Sequence, residues 1–118
     1  MTITTTLQDG IATLTLARPP LNIVTQAVLA ELRRALAGLA AEPALKVVVL
    51  AAEGRHFSAG ADVGEHLPPN HLAMIPEFLD TIGALASFPL PVVAAVRGRC
   101  LGGGFEMVQA ADVIVAGS

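Results

Sequence analysis

Apolar and polar residues alternate at the start of the chain, then fall into helical spacing, then run together. Thr2 to Leu7 and Ile11 to Leu16 are short β-prone runs, and the Asp9-Gly10 pair between them is a strong two-residue hairpin signal. After Arg18-Pro19-Pro20 breaks regular structure, Thr25 is placed to cap a helix. Leu29, Leu32, Leu36 and Leu39 form its apolar stripe, Glu31, Arg33 and Arg34 turn away, and Glu42-Pro43 ends it. Lys46 to Ala52 is a continuous, β-branched run that predicts a strand buried on both faces. A second helix is expected over Leu72 to Ser87, with Ile75, Phe78, Leu79 and Ile82 on one stripe and Pro89 and Pro91 as its stop. Val92 to Val96 then reads as another buried strand, followed by a short helix ending near Ala111 and a strand over Val113 to Ala116.

The predicted order β-β-α-β-α-β-α-β argues for an α/β fold, in which ligands bind in loops outside the carboxyl ends of the strands. Two such loops stand out, Phe57-Ser-Ala-Gly-Ala-Asp62 and Leu101-Gly-Gly-Gly-Phe-Glu106. Glycine allows close backbone approach to a ligand, and a helix start leaves N–H groups free for an anion. A pair of loops of this kind can build an oxyanion hole. The residues alone leave a second reading equally open, in which Gly102-Gly103-Gly104 is only a tight strand-to-helix connection.

Composition narrows the function classes. Of 118 residues, 53% are hydrophobic and 14% charged, so the chain carries more apolar surface than a typical domain and needs either a large core or a covering partner. The longest charge-free run, Thr81 to Val96, contains two prolines and is shorter than the roughly 18 residues of a membrane span. Residues 1–10 show no basic and then apolar leader pattern, so a cytoplasmic location is expected. A net charge of −3, without a Lys/Arg cluster and with phenylalanine as the only large aromatic, argues against nucleic acid. The single cysteine, Cys100, reads as a small buried side chain, and His56, His66 and His71 lack the spacing of a helical metal site. Asp62 reads as a helix cap, and Glu77 and Asp80 as solvated charges on the second helix.

In combination, five blocks resemble the enoyl-CoA hydratase/isomerase (crotonase) family: Arg18-Pro-Pro-Leu-Asn22, Val47-Val-Val-Leu-Ala-Ala52, Phe57-Ser-Ala-Gly-Ala-Asp62, Pro91-Val-Val-Ala-Ala-Val-Arg-Gly98 and Gly102-Gly-Gly-Phe-Glu106. They stand in the family's order and spacing over essentially the whole chain. The resemblance implies a crotonase-like spiral of ββα units, with residues 1–118 as the N-terminal part of a single domain. It implies that the N–H groups of Ala61 and Gly103 form the oxyanion hole for a thioester. It also places coenzyme A against Ala59 and Ala61, with Arg18 toward its phosphates, although a solvated surface charge accounts for Arg18 equally well. Glu106 resembles the first of two hydratase glutamates; the second is expected beyond Ser118. A favourable acidic residue in a helix's first turn, stabilised by about 0.3–1 kcal/mol, would also account for Glu106, but beside the family blocks the catalytic role is the one expected.

The function implied is 2-enoyl-CoA hydration, with cyclic dienoyl-CoA substrates suggested by the Arg-Pro-Pro-Leu-Asn-Ile opening. Double-bond isomerisation on the same scaffold, or a non-catalytic fragment or interaction module, are the alternatives. No metal or resident cofactor is called for, since the coenzyme A thioester is the substrate. By the same resemblance, a homotrimer or a hexamer is expected.

Overall fold

The computed structural model describes residues 3–19, 22–58, 71–98, 100 and 107–117, with the backbone alone for 71–74. The chain opens with the hairpin β1 (Ile3–Gln8) and β2 (Ile11–Leu16), joined at Gln8↔Ile11 by Asp9 and Gly10. Both turn residues have positive φ, 54° and 80°, the turn whose twist matches that of the flanking strands. Helix α1 (Gln26–Ala40) follows, and the Thr25 Oγ1 accepts from the Val28 N–H at 3.2 Å, satisfying one of the donors a helix start leaves bare.

Strand β3 (Val47–Ala52) pairs parallel with β2, helix α2 (His71–Ala86) crosses over, and β4 (Val92–Arg97) pairs parallel with β3. Residues 107–109 make one helical turn before β5 (Val113–Gly117), which pairs parallel with β4. The five strands lie in sequence order, β1-β2-β3-β4-β5, with the hairpin as the antiparallel edge. Asp112 fixes the last register from both sides: its carboxylate accepts from the Val92 N–H at 2.8 Å, and its own N–H donates to the Val92 carbonyl at 2.9 Å.

One face of this sheet carries the core. Leu14, Val48, Leu50, Val92 and Ala94 are fully buried against Val28, Leu29, Leu32 and Leu36 of α1 and Phe78 and Leu85 of α2. On the other face Val47, Val49, Ala51 and Val93 are only half-buried. The expectation of strands buried on both faces is therefore corrected: period-2 burial holds in β3 and β4, with apolar residues occupying the outer face too.

The stripe on α2 also differs from the sequence expectation. Phe78 and Leu85 are buried with the polar Thr81, whereas Ile75 and Leu79 are 52% and 65% exposed. Thr81 is admitted because it is fully bonded. Its hydroxyl donates to the Glu77 carbonyl at 2.8 Å and accepts from Arg33 Nη1 at 2.9 Å. Arg33, read as turned away from the core, instead bridges the helices, reaching the Glu77 carbonyl through Nη1 and the Glu77 carboxylate through Nη2. Glu77 is thus half of an ion pair rather than a solvated charge.

Truncating the two neighbours on α2 separates the two stripes. Phe78→Ala should lower stability by about 3–5 kcal/mol. Leu79→Ala should change it by no more than about 0.5 kcal/mol. Equal losses in urea unfolding would restore the stripe expected from the sequence.

Candidate active site

Four parallel strands, β2 to β5, deliver their carboxyl ends to one edge of the sheet, and the chain keeps β2, β3 and β4 bonded past the strands proper. The Glu53 N–H donates to the Leu16 carbonyl at 2.8 Å, extending the β2–β3 ladder. The Phe57 N–H donates to the Arg97 carbonyl at 2.8 Å, and Ser58 pairs in parallel fashion with Cys100, extending the β3–β4 ladder. Between these points the chain turns through Gly54, at φ 83°, and Gly98, at φ 64°. Gly98 is sterically obligatory: a Cβ there would fall on the Arg55 carbonyl oxygen and lie 2.6 Å from the His56 Nδ1.

Asn22 sits where these turns meet, only 2% exposed and with φ at 47°. Asparagine is among the few residues that tolerate this left-handed conformation. Its Nδ2 donates to the carbonyls of Glu53, at 2.8 Å, and His56, at 2.9 Å. Its Oδ1 accepts from the Arg18 N–H at 2.9 Å, and its own N–H donates to the Arg18 carbonyl at 3.0 Å. The Asn22 carbonyl in turn accepts from the fully buried Ser58 hydroxyl at 2.9 Å. Sequence reasoning counted Asn22 in a motif but gave it no role; the available signal was an asparagine directly after a Pro-Pro-Leu interruption.

A cavity of about 340 Å³ opens at this edge, lined by the ends of β3, β4 and β5 together with Gly54, His56 and Phe57. Its walls are mainly small and apolar, Ala51, Ala95, Val96 and Val115, with Arg97 as the cation. The Arg97 Nη2 donates to the Gly54 carbonyl at 2.9 Å, which holds the guanidinium across the turn. A larger groove, about 660 Å³, lies between β1 and α1, where neither glycine-containing loop begins.

Of the residues singled out from the sequence, Arg18 is described and exposed, its backbone bonded to Asn22. Ala59, Ala61, Gly103 and Glu106 lie outside the described residues, as do Asp62 and His66. The segments that hold the first four are bracketed by described residues: Ser58 precedes 59–70, and Cys100 and Met107 flank 101–106. The Ser58–Cys100 pairing therefore sets side by side the two described residues that directly precede these segments.

The model of the enoyl-CoA hydratase/isomerase family matches residues 6–118. The chain belongs to this family. A cyclohexa-1,5-dienecarbonyl-CoA hydratase of Thauera aromatica is 42% identical over 110 residues, covering 92% of this chain and 43% of the relative. A (7aS)-7a-methyl-1,5-dioxo-2,3,5,6,7,7a-hexahydro-1H-indene-carboxyl-CoA hydrolase of Rhodococcus jostii RHA1 is 40% identical over 116 residues, covering 95% and 45%. Among solved structures, an enoyl-CoA hydratase/isomerase from Xanthobacter autotrophicus Py2 superposes with a TM-score of 0.90 at 29% identity, over 98% of this chain and 46% of that one. The chain thus has the mixed α/β crotonase fold, and it spans somewhat less than half the length of these relatives. No described helix is long and apolar enough to cross a membrane.

The turn geometry gives two measurable expectations. Gly98→Ala should strain the backbone by about 1–3 kcal/mol and lower the unfolding midpoint accordingly, an effect a tolerant loop would not show. Burial raises the Cys100 thiol pKa, so less of it is thiolate at neutral pH. Iodoacetamide should alkylate it more slowly than free cysteine, with the rate rising as the medium becomes more alkaline. Reaction as fast as free cysteine would mean that the thiol is not shielded in solution.

Proposed function

We propose that residues 1–118 are the N-terminal part of a single crotonase-like domain and supply the thioester-binding half of an acyl-CoA hydratase. In this reading the N–H groups of Ala61 and Gly103 polarise the thioester carbonyl and stabilise the enolate formed when water adds across the double bond. Each such donor is typically worth about 2.7–4 kcal/mol in the transition state. Glu106 is the acid/base group, working with a second carboxylate. Ala59, Ala61 and Arg18 receive coenzyme A, and the thioester is the substrate rather than a resident cofactor.

The observation that carries this reading is the parallel pairing of Ser58 with Cys100. Ala61 follows Ser58 by three residues and Gly103 follows Cys100 by three, so two equal lengths of chain leave a common point. The cavity at the carboxyl ends of β3 to β5 adds an apolar wall where ligands of parallel sheets generally bind. The Thauera aromatica relative, named for a cyclic dienoyl-CoA, favours a ring-bearing acyl group over a simple chain. Assembly as a homotrimer or hexamer and a cytoplasmic location are part of the same proposal.

Hydration by the intact gene product is the test. Glu106→Gln should lower the rate by about 10²–10⁴-fold, and an unchanged rate would remove Glu106 from the mechanism. Deuterium uptake into an enoyl-CoA without a hydroxyacyl product would replace hydration by isomerisation. Calorimetry showing no saturable binding of acetyl-CoA would make the chain an interaction module instead.

A further inference from the structure

We infer that Asn22 and Ser58 form a buried latch that positions the two backbone donors for catalysis. The inference rests on the assignment of Ala61 and Gly103 above, and goes beyond it by naming the groups that set their spacing.

The side chain of Asn22 spends all three of its bonds on the main chain, at Arg18, Glu53 and His56, rather than on other side chains. These anchor points lie in two different segments, one after β2 and one after β3. The Ser58 hydroxyl adds a further bond to the Asn22 carbonyl, so that the segment after β3 is held at 53, 56 and 58 by one residue. Ser58 is also the residue that pairs with Cys100. Ser58 directly precedes the segment containing Ala61 and Cys100 the segment containing Gly103, so this one pairing ties together the two residues from which both segments leave.

Core packing alone does not call for this arrangement. Asn22 occupies a left-handed conformation that an apolar residue of similar size would resist, and an apolar side chain would leave the carbonyls of Glu53 and His56 without this donor. The lever is short, three residues from Ser58 to Ala61 and three from Cys100 to Gly103. Misplacement of a reacting group by about 1 Å can cost about 10²-fold in rate. Because an oxyanion hole acts on the transition state, its distortion lowers kcat and kcat/KM together and leaves KM nearly unchanged.

The test compares Ser58→Ala, Ser58→Thr, Asn22→Gly and Asn22→Asp in the intact gene product, with the carbonyl stretch of a bound ¹³C-labelled acyl-CoA thioester as the readout beside kcat and KM. Asn22→Gly keeps the backbone conformation, Asn22→Asp also keeps the acceptor for Arg18, and both remove the two amide donors. The wild type should shift the carbonyl stretch to lower wavenumber. Ser58→Ala and both Asn22 variants should lose much of that shift and about ten- to a hundredfold in kcat, with KM held and circular dichroism unchanged. Ser58→Thr, which keeps the hydroxyl, should restore both. Retention of shift and kcat in folded Ser58→Ala and Asn22→Asp would overturn the latch, and so would loss of fold in all the variants that break it, which would make the pair a stabiliser only. Absence of any shift in the wild type would instead overturn the assignment of the donors.

Discussion

Parallel strands cannot be joined by a tight turn; each return needs a crossover long enough to carry a helix. Here α1 and α2 meet that need between β2, β3 and β4, and both pack on the face that buries Val48 and Leu50. Because the crossovers return the chain to the same starting edge, every one of these strands points its carboxyl end at the opposite edge. The segments after Leu16, Ala52 and Arg97 therefore emerge together, although they are separated by tens of residues in sequence. The convergence of turns around Asn22 is a direct product of that topology.

Much of this architecture is legible in the sequence because it is written in local signals. Asp9-Gly10 and Thr25 specify a turn and a cap through their own stereochemistry, and the structure places both within a residue or so of expectation. The β-branched runs of β3 and β4 are equally plain. What the sequence leaves hidden depends on the partner across the fold. Arg33 looks solvated in a helical pattern until α2 brings Glu77 and Thr81 against it, and Leu79 looks like core, whereas the face of α2 that packs inward carries Phe78, Thr81 and Leu85.

The same contrast holds at the candidate site. The glycine-containing segments declare themselves by composition, and family membership follows from the motif blocks that surround them. Asn22 does not declare itself, since its value lies in three backbone partners that are distant or conformationally unremarkable in the sequence. The Ser58–Cys100 pairing is hidden for the same reason: serine and cysteine carry no strand signal, and only the extended β3–β4 ladder makes them neighbours.

The β5 edge has a practical meaning of its own. Val113, Ile114 and Val115 are each about half exposed, on a strand whose pairing is to β4 alone among the described strands. Unpaired amides and carbonyls beside β-branched side chains are the chemistry of strand-to-strand adhesion. A preparation of this chain by itself is therefore a colloid problem before it is an enzymology problem: its shelf life in solution will be governed by concentration and by how well that edge is kept from finding another like it.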